Sequence, residues 1–489
     1  MKSIQYRGEI TAFLSLMFVL MISFTAGILE ASVIQSSKSM SRLETDRAVF
    51  SVFGEYQRKL MEEYHVFALE GSYGTGDYSE DNIVRRMHYY ETGNIEHEIT
   101  DIQYLTDNSG QAFREQVLAY MEQKYGISLI RNFTGLTAEW EECGIQENKM
   151  KEENKNTVED IRELEVMSEE NKEESSGNES AMDTDPFGCV NAIENAGILS
   201  IVLPHNMKLS GKTINLSSQL SYRNLITGRG NFPSRVNMDG MEEKLLFNEY
   251  VLENFLCAVS ESEMESADSK QEDREIKVSD DTSSRKERSL SYETEYIISG
   301  KNSDKGNLEA VLMKIYLIRL ALNYTYILGD EEKKAEAGAL AGALSLLILN
   351  PELSEMIKQL VLFAWAAGES VVDIRTLLAG NRIPAVKDRE SWQVSLGSLL
   401  TLGNGSEQIE GENQENGMSY KDYLRIFLFL SDTGKITMRT LDRVEENINK
   451  EFEMEFFRAD QCVSKIQMDN TIQIYDELTY RYPVYFGYE

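Results

Sequence analysis

Between Ile10 and Leu29 the chain carries no charged side chain, reading ITAFLSLMFVLMISFTAGIL. About 20 such residues in a helix span roughly 30 Å, the hydrocarbon thickness of a bilayer. Inside lipid a backbone must satisfy its own hydrogen bonds, so this segment is predicted to be a transmembrane α-helix with span ends at Ile10 and Leu29. Lys2, Arg7 and Glu9 precede it in a short leader, residues 1–9. A cleaved signal peptide carries a shorter apolar stretch, about 7–15 residues, closed by small residues in an A-x-A pattern. This run is longer and has no such close, so an uncleaved anchor is expected. Lys38, Arg42 and Arg47 follow the span within about 20 residues, so the positive-inside count selects no orientation. A long remainder can translocate regardless of its charge. The large C-terminal part is therefore expected outside the cell membrane. The apolar stretches around Leu308–Leu328, Ala337–Leu349 and from Met356 onward are interrupted by charge or are too short, and read as core helices.

The first proline of the chain is Pro186, and Gly54 is the only glycine between Ala31 and Glu70. Val49, Phe53, Tyr56, Leu60, Tyr64 and Phe67 recur at helical spacing, so an amphipathic stalk helix over 30–70 is expected to continue the span. Its stripe Val49, Phe53, Tyr56 and Leu60 is a candidate partner surface. The other reading is a membrane helix followed by an ordinary first helix of the domain. Gly71–Gly76 then forms a turn. Alternation at Ile95, His97 and Ile99, then at Ile102 and Tyr104, predicts a strand with a bulge near Asp101. With the helix that Gly126 closes, it makes a small α+β unit over 71–140.

Residues 141–187 are crowded with Glu, Lys, Asn and Ser, and read as a solvated acidic insertion with at most a short helix near Val158–Met167. A mixed segment at 188–259, irregular from Asn206 to Arg235 and helical from Met241, precedes a second polar insertion, 260–288. Residues 289–402 read as a strand, with Leu290, Tyr292, Thr294 and Tyr296 alternating, followed by a helical core. Asp330 caps one of its helices, Asn350-Pro351 opens another, and Gly380 ends that one. A linker at 403–418 leads to 419–489, with a capping box at Ser419-x-x-Asp422, two helices, and C-terminal strands that can pair with the one near Ile95. The fold class expected is α+β: a mostly helical domain with a small, mainly antiparallel sheet and disordered acidic insertions.

The net charge is −33. It argues against nucleic acid, which requires clustered Lys and Arg. Ser210-Gly211-Lys212-Thr213 has the end of a phosphate loop, but the leading glycine is replaced by Asn206, so it reads as a polar turn. His65, His88, His97 and His205 show no ligand spacing, so no metal and no cofactor is expected. Cys143, Cys189, Cys257 and Cys462 include no Cys-x-x-Cys; they read as reduced thiols, with one bridge across the acidic insertion as the other possibility. Glu369 and Asp373, one helical turn apart beside Arg375, are the best polar cluster on an apolar helix, and paired carboxylates can act as general acid and base. No nucleophile or small-molecule substrate accompanies them, and the chain is expected not to be an enzyme.

The opening RGEITAFLSLMFVLMISFTAGILEAS and the following RLETDRAVFSVFGEYQRKLMEEYHVFALE resemble an uncharacterised family of Gram-positive, clostridial-type, single-span membrane proteins. So do LSYETEYIISGKNSDKGNL, FAWAAGESVVDIRTLLAGNRIPAVK and GMSYKDYLRIFLFL further on. The resemblance links the chain to tight-adherence (Tad-like) pilus loci and offers no catalytic residues. The start also resembles TadE/TadG-like pseudopilins, whose basic leader ends in Gly. Gly8-Glu9 matches that processing site, whereas the glutamate usual at the fifth position after the Gly is Phe13 here. The implied role is a membrane-anchored, extracytoplasmic structural or assembly component of a pilus or secretion apparatus, with protein partners in the cell envelope. The alternative is an anchored surface enzyme or ligand-binding module using Glu369 and Asp373.

Overall fold

The computed structural model describes residues 3–126, 133, 135–174, 185–203, 208–237, 239–259, 288–402, 409, 411–475 and 478–488. They form two compact units. The first comprises 1–116, 224–235 and 452–489; the second comprises 117–223 and 236–451.

The first unit begins with α1 (Ser3–Phe53), one 51-residue helix about 75 Å long at the standard rise. Its apolar window is bare of protein contact. From Ser41 onward one side of it becomes core. The helix does not run on to Glu70. Gly54 ends it, with its amide on the Phe50 carbonyl at 2.9 Å. Gln57 then caps a separate α2 (Arg58–Tyr64) by accepting the Leu60 amide, and His65 closes α2 in the left-handed region at φ 57°. The stalk thus stops at the one glycine it contains. After β1 (Leu69–Glu70), the Gly71–Gly76 turn is pinned by the Glu70 carboxylate, which accepts the Ser72 and Gly74 amides. Next come α3 (Glu80–Tyr90), β2 (Ile95–Tyr104) and α4 (Asp107–Tyr125), which ends at Gly126, φ 57°.

The chain returns to this unit as β3 (Cys462–Tyr475) and β4 (Leu478–Gly487). The central β3 is flanked by β2 on one side and by β4 and β1 on the other, all antiparallel. Ile95 pairs with Ile472 and His97 with Asn470, and a register shift falls between Ile99 and Asp101, the expected bulge. Ala48, Val49, Val52 and Phe53 of α1 and Ile83 and Met87 of α3 pack with Ile102, Val463, Ile466 and Met468 in one core.

The second unit is helical. It opens with α5 (Thr137–Glu174), 38 residues long. This corrects the expectation of an unstructured insertion over 141–174. Trp140, Met150, Ile161 and Leu164 are buried at spacings of ten, eleven and three, sums of three- and four-residue steps that return to one helical face, so a narrow apolar seam docks an otherwise polar helix. The remainder of that insertion at 175–184, the polar segment 260–287 and most of 403–410 lie outside the described residues. Further on are α6 (Gly188–Ala196) and α7 (Met241–Asn254). A strand at Leu290–Tyr296 is not formed. Asp304 accepts the Ser291 and Tyr292 amides and turns the chain into α8 (Glu293–Ser299). The core then comprises α9 (Asp304–Gly329), α10 (Glu331–Leu347) and α11 (Ser354–Leu378), with α5 and α10 packed on the α9–α11 pair. Asp330 caps α10 through the Glu332 and Lys333 amides, and α11 ends against Gly380, φ 84°. The capping box of Ser419 and Asp422 opens α12 (Tyr420–Leu430), which precedes α13 (Thr433–Glu451).

Candidate functional site

Gly8 and Glu9 lie within the first turns of α1 and are exposed, as is every residue from Ile10 to Leu29. Two helices among the described residues are long and apolar enough to cross a membrane: α1, and α9, most of whose apolar window is buried in protein. Of these two, α1 alone presents a bare apolar surface of that length.

The predicted partner stripe is not open. Val49, Phe53 and Leu60 are buried and Tyr56 is half-buried. Phe53 packs on Phe486 with ring centroids 4.3 Å apart and ring planes tilted by 30°, and the Tyr488 hydroxyl donates to its carbonyl. The stripe is apolar because it seats α1 on its own sheet. The same helix has a second apolar line: Val33, Met40, Leu43 and Phe50, all exposed, at spacings of seven, three and seven.

Glu369 and Asp373 come together as expected, but in a closed cluster. Lys387 Nζ reaches Glu369 Oε1 at 2.5 Å, Asp373 Oδ1 at 2.8 Å and the Ser391 carbonyl at 2.9 Å. Glu369 also accepts the Gln393 and Val394 amides. Asp373 Oδ2 accepts from Arg319 Nε at 2.9 Å and from Asn323 at 3.0 Å. Arg319 in turn donates to the Pro384 and Ala385 carbonyls. Burial pushes the Glu369 carboxyl up against the pull of Lys387, with Asp373 adding to the rise. For Asp373, burial is outweighed by Arg319 and Lys387, which hold its carboxyl below the ordinary value. Arg375 donates to the Ile201 carbonyl at 2.8 Å. Two anions and two cations with their hydrogen bonds directed inward tie α9 and α11 to the 384–394 loop. A general acid or base needs access to substrate, and these carboxyls, each at most 1% exposed, have none in this arrangement.

The Ser210–Thr213 turn is held from within: Ser210 Oγ donates to Asp304 and Lys212 Nζ to the Arg288 carbonyl. No disulfide joins the four cysteines, and burial pushes the Cys189 thiol up to about 12. His205 lies outside the described residues.

The structure also assembles a group that spacing alone did not suggest. His88 and Glu91 project from the C-terminal end of α3, and His97 from β2. One ligand atom from each lies within 4.8 Å of the others. Glu91 Oε2 is 2.9 Å from His97 Nε2, and Glu91 Oε1 contacts His88 Nδ1. His97 Nδ1 lies 2.6 Å from Asn470 Oδ1 on β3. The Glu91 carboxyl is raised by burial and lowered further by His97 and then His88, for a net depression. The available signal was His88-x-x-Glu91, a pair sharing one helical face; that the turn after α3 returns His97 to it depends on sheet packing.

No curated protein and no solved structure matches the chain. Residues 174–474, most of the chain, match the family of unknown function DUF5702, and the chain belongs to that family.

Proposed function

We propose that the protein is a single-span membrane protein whose folded part stands outside the cell, serving as a structural or assembly component of a tight-adherence-like pilus or secretion apparatus. The observation that carries this reading is the continuity of α1. Its N-terminal part is bare and apolar over the length of a bilayer, and its last turns are fixed in the core of the first unit. One rigid helix would thus couple a sheet-bearing unit to the membrane, as an element moved or held by envelope machinery requires. The Gly8-Glu9 junction at the head of that helix supports a pilin-like entry. The exposed line of Val33, Met40, Leu43 and Phe50 has the spacing of a helix–helix seam, so the partner segment is an apolar helix of the apparatus. The reading as an anchored enzyme built on Glu369 and Asp373 draws no support from a sealed and neutralised cluster.

The test begins with the N-terminal residue of the protein extracted from membranes. A start at Glu9 means pilin-like processing, and a start at Met1 means a fixed anchor in an accessory or scaffold role. Protease treatment of intact cells should remove the folded part; its survival, with degradation only after lysis, would overturn the external placement. Leu43→Asp, at a site 65% exposed, should leave the fold intact and abolish co-purification of apparatus proteins. Unchanged co-purification would refute the seam.

A further inference from the structure

We propose that His88, Glu91 and His97 form a binding site for one divalent transition-metal ion of the zinc class, with Asn470 as the positioning residue that orients His97. The inference is independent of the apparatus reading.

It rests on proton placement. The Asn470 amide nitrogen faces the carbonyls of Tyr482 at 3.3 Å and Met468 at 3.5 Å, so its oxygen is the atom turned to His97 Nδ1. An amide oxygen only accepts, so Nδ1 carries the hydrogen. The His97 Nε2 lone pair then points at a carboxylate oxygen 2.9 Å away. A lone pair and an anion at that distance need a positive charge between them. Both side chains are closed from solvent, His97 at 0% and Glu91 at 1% exposure, so that charge must sit within the site, as a proton on Nε2 or as a metal ion. His88 brings a second imidazole nitrogen to the other Glu91 oxygen. The site therefore offers three Lewis bases, and one dication can take the place of two protons.

The dimensions fit. Zinc binds imidazole nitrogen at about 2.0–2.1 Å and carboxylate oxygen at about 2.0–2.2 Å, which puts neighbouring tetrahedral ligands about 3.3 Å apart. His97 and Glu91 need to separate by only a few tenths of an ångström, and His88, 45% exposed, can adjust its ring. A metal-bound imidazole whose other nitrogen donates to a fixed acceptor is the usual outer-shell arrangement, and here Asn470 is that acceptor. Two imidazoles disfavour calcium and magnesium, which take oxygen ligands. The His88 side opens to solvent, leaving a fourth position for water. A bound ion would tie the end of α3 to β2 and, through Asn470, to β3. That corner is already joined to α1 by Thr92 Oγ1 to Glu44 and by Arg47 to the Tyr90 carbonyl.

The test uses the full chain in detergent, stripped with chelator and dialysed free of it. Zinc chloride should restore one tightly held zinc per chain by elemental analysis and raise Tm by several degrees, since binding to the folded state alone stabilises it. Cobalt should give the strong visible bands of a four-coordinate site. His88→Ala, which alters a half-exposed side chain, should keep the apo Tm and lose the zinc-dependent rise. Asn470→Ala should weaken zinc about 10–100-fold, the usual cost of an outer-shell partner. Zinc uptake that millimolar calcium or magnesium displaces, uptake unchanged in His88→Ala, or no uptake would each overturn the proposal; the first two would assign binding to the acidic surface.

Discussion

Replacing Lys387 with methionine removes one of the two cations that neutralise Glu369 and Asp373. Methionine fills a similar length, so the change is mainly one of charge. Of two carboxylates one turn apart, Asp373 would then keep Arg319 and Glu369 only its amide donors. Breaking a buried ion pair from one side costs about 3–5 kcal/mol, because the remaining charge is stranded. The chain can limit that cost by protonating Glu369, whose carboxyl is already pushed up by burial and by Asp373. An acid whose folded pKa lies above its unfolded value binds more protons when folded, so stability falls as pH rises between the two values. The deficit should therefore be smaller near pH 5 and larger near pH 8. The assay is urea unfolding in mild detergent, followed by tryptophan fluorescence. All three tryptophans lie in the second unit, and both Trp365 and Trp392 donate to the carbonyl of Val394, whose amide binds Glu369. Adding Glu369→Gln to Lys387→Met should recover more than half of the loss. A deficit below about 1 kcal/mol at pH 8, or one independent of pH, would show that the cluster is hydrated and open, and would return the carboxylates to consideration as a reactive pair.

Three further outcomes are expected. Glu295 is fully buried, accepts from Ala258 N and the Tyr420 hydroxyl, and is pushed up to about 7 by burial. Its contribution falls by about 3 kcal/mol as pH rises from 4.5 to 7, and Glu295→Gln should remove that slope from a pH series of unfolding free energies; an unaltered slope refutes the assignment. Phe53→Ala, at a side chain 1% exposed between α1 and the sheet, should cost about 3–5 kcal/mol in denaturant unfolding, and a loss under about 1 kcal/mol would mean the stripe is not core. Ser419→Ala breaks one half of the α12 capping box, the hydroxyl that accepts the Asp422 amide, and leaves Asp422 accepting the backbone amide of residue 419; it should cost about 1 kcal/mol in urea unfolding read by tryptophan fluorescence, with no change in the helix content of the native state.

The elements legible in the sequence were those whose signals are local. Asp330, Ser419 with Asp422, Gly126 and Gly380 mark helix boundaries through hydrogen bonds or backbone angles that involve a few neighbouring residues, the first two opening a helix and the two glycines closing one where expected. The alternation at Ile95–Ile99 and its break at Asp101 likewise describe one strand and its bulge. The misreadings came from longer-range causes. Leu290–Tyr296 alternates, yet the Asp304 carboxylate, more than ten residues on, draws two amides there into a turn. Gly54 was visible as the only glycine of the stalk, but its power to stop the helix depends on Tyr56 and Gln57 finding partners in Phe67 and Ala68.

The acidic helix α5 shows most clearly why composition misleads. A segment this rich in Glu and Lys lacks the apolar area to fold alone, and by that measure it belongs in solvent. Composition averages over all faces, whereas docking needs only one. Trp140, Cys143, Glu147, Met150, Ile161 and Leu164 repeat at heptad intervals, and the seam tolerates a charged member because Lys314 of α9 lies 3.5 Å from Glu147. The same logic governs α1. Its inner line, ending at Val49 and Phe53, is consumed by its own sheet, while the sparser outer line of Val33, Met40, Leu43 and Phe50 has only one Phe486 ring contact, at Phe50, among the described residues. A sparse seam on a polar helix was sufficient to dock α5. The outer line of α1 meets the same standard, which makes it the stronger candidate for an intermolecular contact than the denser stripe that the sequence suggests first.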